Sequence, residues 1–202
     1  MEDKFSFIVN GKTIVTTEDV NLLDFLRDDL GLISVKDGCK EGACGTCTIL
    51  VDGKAMKSCI FTTKKVAGKE ITTIEGFTAR EKEVFAYAFT ECGAVQCGFC
   101  IPGMVVAAKA LFMRTLDPTS DEVKKALVGN ICRCTGYVKI EQAIMLAAKI
   151  FRENTPVPQR ECKGLVGTNV HRVDAEAKTL GTAKYAEDYV VDGMYYGSAV
   201  RT

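Results

Sequence analysis

Histidine is almost missing from this 202-residue sequence: there is one, His171. A mixed Cys/His zinc site has too few imidazoles to form, so any ligation falls mostly to cysteine sulfur. An excess of charge of either sign is also missing. Lys plus Arg number 26 against 26 Asp plus Glu, which leaves no electrostatic footprint for nucleic acid or an anionic membrane. No apolar run approaches the roughly 20 residues that span a bilayer. The first residues, MEDKFSFIVNGK, are a charged start followed by an alternating strand rather than a signal peptide. These absences together read as a cytoplasmic chain. Its length suits one large domain or two small ones.

Cysteine, by contrast, occurs ten times. Disulfides are disfavoured in a reducing compartment, so clustered cysteines there point to metal binding or catalysis.

The first segment has period-two patterning. Phe5, Phe7 and Val9 alternate, Asn10-Gly11 is a hairpin turn, and Ile14 and Val15 lie on the return strand. NLLDFLRDDLG places Leu22, Leu23, Leu26 and Leu30 on one helical face, with Gly31 as the stop. A second hairpin joins CTILV to KAMKSCIF through Asp52-Gly53, and a last strand covers Ile71 to Ile74. From residue 78 the period changes to about 3.6. Thr78 with Glu81, and Thr119 with Glu122, have capping-box spacing. Pro102-Gly103 precedes MVVAAKALFMR, and a fourth helix runs from Tyr137 to about Phe151 with Ile140, Ile144 and Ala147 on one face. The expectation is α+β: a ubiquitin-like, ferredoxin-type domain over 1–76, then a small four-helix bundle over 77–153. Residues 154–168, with two prolines, read as a linker. Residues 169–202 are too short for a domain and read as the opening of a further one.

Cys39, Cys44, Cys47 and Cys59 have the spacing C-x4-C-x2-C-x11-C, the plant-type 2Fe–2S signature. Three cysteines in nine residues need an unusually free backbone, which Gly38, Gly42 and Gly45 supply. Their N–H groups can bond the sulfurs of a negatively charged cluster. Structural zinc is the rival reading, but zinc sites favour paired short knuckles over one glycine-rich loop and a remote ligand. Cys97 and Cys100 lie in VQCGFCIPGM, Cys132 and Cys134 in GNICRCTGY. Each pair sits in a loop entering a helix, where N–H groups favour negative charge. On spacing alone this second set leaves iron–sulfur and zinc both open.

GCKEGACGTCTILVDG, GAVQCGFCIPGM and GNICRCTGY, in this order, resemble the three signatures of the iron–sulfur subunit of the xanthine dehydrogenase and aldehyde oxidase family of molybdenum hydroxylases. The resemblance covers roughly residues 4 to 152 and implies one 2Fe–2S cluster per domain, on the eight cysteines named. It also implies that Gln96 and Cys134 approach a molybdopterin cofactor held by a large partner subunit. Electrons would run from molybdenum through the pterin to the helical-domain cluster, then to the ferredoxin-type cluster, and on to a flavin-binding subunit or another acceptor. The tail from Val166 is similar to the start of that large subunit, as in a direct fusion that stops early. The resemblance therefore implies the electron-transfer part of an oxidoreductase, without the residues for hydroxylation.

Other candidates read as bland. Gln96 also suits a loop-capping amide. Cys92 reads as a small core residue, Cys162 as an exposed thiol, and His171 as a surface or packing residue. Lys64-Lys65 and Lys124-Lys125 read as solvated faces.

Overall fold

In a computed structural model the described residues are 4–159, 166–167, 170, 172–195 and 197–200. Cys162 and His171 lie outside them. Five strands, β1 (Phe5–Val9), β2 (Lys12–Thr16), β3 (Thr48–Val51), β4 (Lys54–Lys57) and β5 (Glu70–Thr72), form one sheet of order β2-β1-β5-β3-β4. β1 pairs antiparallel with β2 and parallel with β5, while β3 pairs antiparallel with both β4 and β5. Both hairpins turn on two left-handed residues, Asn10-Gly11 and Asp52-Gly53, the backbone that matches strand twist in a two-residue loop.

Across the sheet lies α1, a short α-helix (Leu22–Asp24) that continues as a π-helix (Phe25–Asp29). Asn21 caps it by accepting from the Leu23 N–H. Leu22, Leu23, Phe25 and Leu26 are buried with Phe7, Ile49, Val51 and Ile71 in one core.

The second half holds α2 (Ala79–Glu91), α3 (Ile101–Phe112), α4 (Ser120–Leu127) and α5 (Val138–Glu153) around a separate core. Both expected capping boxes are formed, Thr78 with Glu81 and Thr119 with Glu122. Phe85 stacks on Phe112 at 5.7 Å between ring centres, with Phe151 edge-on. α5 begins one residue later than its apolar pattern suggests, because Tyr137 is left-handed, with φ of 67°.

β3 belongs to both cores. All four of its residues are buried; Ile49 and Val51 face the sheet core, while Leu50 enters the helical one. A continuous apolar strand, TILV, suits burial on both faces.

Two expected elements are shorter than the pattern suggested. β5 ends at Thr72, with Ile74 in a 3-10 turn (Ile74–Gly76). β4 ends at Lys57, and Cys59 sits in the following 3-10 turn (Ser58–Ile60), not on the strand. Beyond α5, residues 172–189 return across both halves through α6 (Ala175–Thr179) and a 3-10 turn (Ala186–Asp188). No helix among the described residues is long and apolar enough to cross a membrane.

Candidate metal centres

The loop between α1 and β3 carries Cys39, Cys44 and Cys47, and the turn after β4 brings Cys59 beside them. Ser58 ties the turn to the loop, its N–H and hydroxyl both donating to the Cys47 carbonyl at 3.1 Å. The thiols meet as pairs: Cys39 with Cys44, and Cys47 with Cys59. The sulfur of Cys39 accepts from the N–H groups of Cys44 and Glu41, each at 3.4 Å. Those two donors hold its thiol down to about 7. Burial pushes Cys47 up to about 11, with Cys59 adding to the shift. Lys57 reaches back over the loop and donates to the carbonyls of Gly42 (2.6 Å) and Ala43 (3.2 Å).

The second set also forms pairs, Cys97 with Cys134 and Cys100 with Cys132. Cys100 is buried at the cap of α3, while Cys97 and Cys134 are exposed. Burial pushes the Cys100 thiol up strongly and that of Cys97 up as well. Burial opposes the Cys132 thiolate too, but Thr135 outweighs it. Its hydroxyl (3.1 Å) and N–H (3.3 Å) both donate to the sulfur, and the thiol falls below its ordinary value.

The two sets are joined directly. The Ile131 N–H donates to the carbonyl of Cys44 at 2.8 Å, linking the residue before Cys132 to a cysteine of the first loop. Buried Asn130 seals the same junction, its amide donating to the Gly45 carbonyl (2.9 Å) and Thr48 hydroxyl (3.3 Å). Gly45 is left-handed here, and a Cβ on it would stand 2.1 Å from the Gly129 carbonyl oxygen. Only glycine allows so close an approach.

These thiols fit a 2Fe–2S cluster, which holds two irons on two thiolates each. N–H and hydroxyl donors already face Cys39 and Cys132, while burial disfavours Cys47, Cys97 and Cys100 as free anions. Among the described residues, no three Cys, His, Asp or Glu side chains converge as they would around one metal ion.

Gln96 is exposed beside Cys97, and its side chain makes no hydrogen bond among the described residues, so it caps no described loop. Cys92 is partly buried against the helical core, and both lysine pairs are exposed. Sequence reasoning missed Lys57 and Thr135. Thr135 was within reach, standing one residue beyond Cys134. Lys57 acts across the hairpin on a loop some fifteen residues earlier and leaves no local signal.

A mixed sheet with a cysteine loop, followed by helices with paired cysteines at their entrances, defines the class of two-part 2Fe–2S proteins. Comparison with known proteins agrees. The family described as 2Fe-2S iron-sulfur cluster binding domain matches residues 7–73, and that described as [2Fe-2S] binding domain matches residues 73–145. The small FeS subunit of nicotinate dehydrogenase from Eubacterium barkeri is 45% identical over 139 residues, covering 68% of this chain and 88% of that one. Aldehyde oxidoreductase from Megalodesulfovibrio gigas is 38% identical over 191 residues, 89% of this chain and 21% of that one. The crystal structure of aldehyde oxidoreductase from Desulfovibrio desulfuricans superposes with a TM-score of 0.83 at 37% identity, covering 92% of this chain and 22% of that one. The chain belongs to the iron–sulfur subunit family of xanthine dehydrogenase and aldehyde oxidoreductase-type enzymes. It spans most of the small subunit it matches and about a fifth of each aldehyde oxidoreductase.

Proposed function

We propose that the chain is the electron-transfer portion of a molybdenum hydroxylase. Cys39, Cys44, Cys47 and Cys59 hold one 2Fe–2S cluster, and Cys97, Cys100, Cys132 and Cys134 hold the other. The domains are a ferredoxin-type unit over 1–76 and a four-helix bundle over 77–153. Free thiolates of this kind suit a reducing compartment such as the cytoplasm.

The observation that carries the reading is the Ile131 N–H to Cys44 carbonyl hydrogen bond. It makes a short bonded route between the two cysteine sets, which a pair of separate structural metal sites would not need. When bound, the clusters would supply one-electron acceptance and release. The chain's own residues do the rest: backbone donors and Thr135 favour the thiolates, Lys57 sets a positive charge at the first loop, and the sealed junction at Asn130 excludes water between the sets. Exposed Gln96 and Cys134 mark the side offered to a molybdopterin-binding partner. The outer acceptor would face the first cluster, a flavin-binding subunit being one such acceptor. The tail belongs with the opening of the large subunit. This rests on the match to aldehyde oxidoreductase, which extends over 191 residues, whereas that to the nicotinate dehydrogenase small subunit spans 139.

Anaerobic purification with iron and sulfide counting, and electron paramagnetic resonance of the dithionite-reduced chain, tests this. Two distinct 2Fe–2S signals with about four irons and four sulfides are expected. Zinc with no signal overturns the redox reading. Gln96→Ala should leave both signals intact yet slow their reduction by a molybdenum-containing partner; an unchanged rate removes Gln96 from the pterin side.

A further inference from the structure

Residues 172–189 close over the second cysteine loop. α6 buries Ala175 and Thr179 against the helical half. Past it, the Tyr185 hydroxyl donates to the Cys97 carbonyl at 2.7 Å, and its ring meets that of Phe99 edge-on at 5.1 Å. Lys178 lies over Gly98, so closely that a Cβ on the glycine would stand 2.6 Å from that of the lysine. The Lys178 ammonium reaches the Gln96 carbonyl at 3.5 Å. Each residue from Gln96 to Phe99 is therefore touched by this segment.

Its far end is fastened to the sheet half. Asp188 accepts from Arg27 at 2.7 Å and from Lys36 at 3.4 Å. Lys36 is wholly buried, and its ammonium also lies 4.8 Å from the centre of the Tyr185 ring. A buried ammonium is costly unless paired. Asp188 is its carboxylate partner, so the fastening and the placement of Tyr185 depend on each other. A tail that merely filled space would need neither the buried lysine nor the phenol aimed at a cysteine carbonyl.

We propose that residues 172–189 form a strap, latched by Asp188 on Arg27 and Lys36, through which Tyr185 acts as a positioning residue for Cys97. The inference rests on the two-cluster reading above. Hydrogen bonds and solvent access around the ligands set a cluster's reduction potential. Cys97 lies on the exposed side of its set, where a strap has most effect.

The test uses the full chain, purified anaerobically with its iron. Redox-titrated electron paramagnetic resonance is run on Tyr185→Phe, Asp188→Asn and Asp188→Glu, with hydrogen exchange read at residues 97–99. Tyr185→Phe should move the second signal's midpoint potential and leave the first in place, both at full intensity. Asp188→Asn should do the same and lower protection at 97–99 by about tenfold, with Asp188→Glu restoring both. A second signal unmoved in Tyr185→Phe and Asp188→Asn overturns the strap. Should Asp188→Asn fail to fold, Tyr185→Phe, which removes one oxygen, decides alone. A parent chain without a second signal overturns the two-cluster reading itself, and the two failures are thereby told apart.

Discussion

Lys57 shows how much one side chain can contribute to a cysteine loop. Its ammonium satisfies the carbonyls of Gly42 and Ala43, which braces the loop whose Glu41 and Cys44 N–H groups donate to the Cys39 sulfur. It also places a positive charge beside a site that gains negative charge on reduction. Lys57→Met keeps the stem and removes both effects. The first signal's midpoint potential should fall by on the order of tens of millivolts, where about 59 mV is tenfold for one electron. The second signal should stay where it is. Equal movement of both would mean that the lysine acts through the fold rather than at the loop. Lys57 carries no sequence mark of this role, since a lysine two residues before a cysteine on a hairpin reads as ordinary strand surface. The cysteines, by contrast, stand out locally, the first set by its plant-type spacing and the second only through the family resemblance.

At the scale of elements, the junction between the cysteine loop, α3 and the turn before Cys132 is held by Asn130. Its amide is buried and makes two hydrogen bonds. Asn130→Ala would remove both bonds and leave the Gly45 carbonyl to the Thr48 N–H and hydroxyl alone, at about 0.5–1.5 kcal/mol for each bond lost, read as a lower midpoint in denaturant. Electron exchange between the clusters should slow in the same variant. An unchanged midpoint would mean that water replaces the amide without loss. Local elements were well announced by sequence: both hairpin turns and both capping boxes follow from short-range backbone chemistry. The end of β4 was not. KAMKSCIF alternates well enough to continue as a strand, yet Ser58 turns the chain so that Cys59 can meet Cys47, a demand made from twelve residues away.

For the whole molecule, two cores share one strand, and Leu50 is the side chain that crosses between them. Leu50→Ala should cost about 2–5 kcal/mol and loosen the helical half first, seen as earlier loss of the second signal in denaturant. Simultaneous loss of both signals would show that the halves unfold as one unit. The strap adds a pH dependence. Burial works against the Asp188 carboxylate, but the Tyr185 N–H, Arg27 and Lys36 outweigh it and hold the group below its ordinary value. A depressed carboxylate contributes stability that is fully present above its unfolded value, near 3.9, and lost as pH falls through the folded one. Neighbouring Glu187 is shifted upward by burial and protonates earlier. Protection at residues 97–99 should therefore hold from neutral pH down to about pH 4 and fall below it. Loss already near pH 6 would point to a different latch.

The sequence by itself determined the elements, the two cysteine sets and the family, because each depends on residues close together in the chain: turn pairs, capping boxes, thiols at ligand spacing. Only the tertiary structure decided how the thiols pair, that Ile131 bonds Cys44, that Lys36 is buried, and that Tyr185 lies on Cys97. Those are contacts between segments up to about 150 residues apart. Nothing local announces them, since a lysine or tyrosine acquires such a role only when packing removes water and chooses its partner.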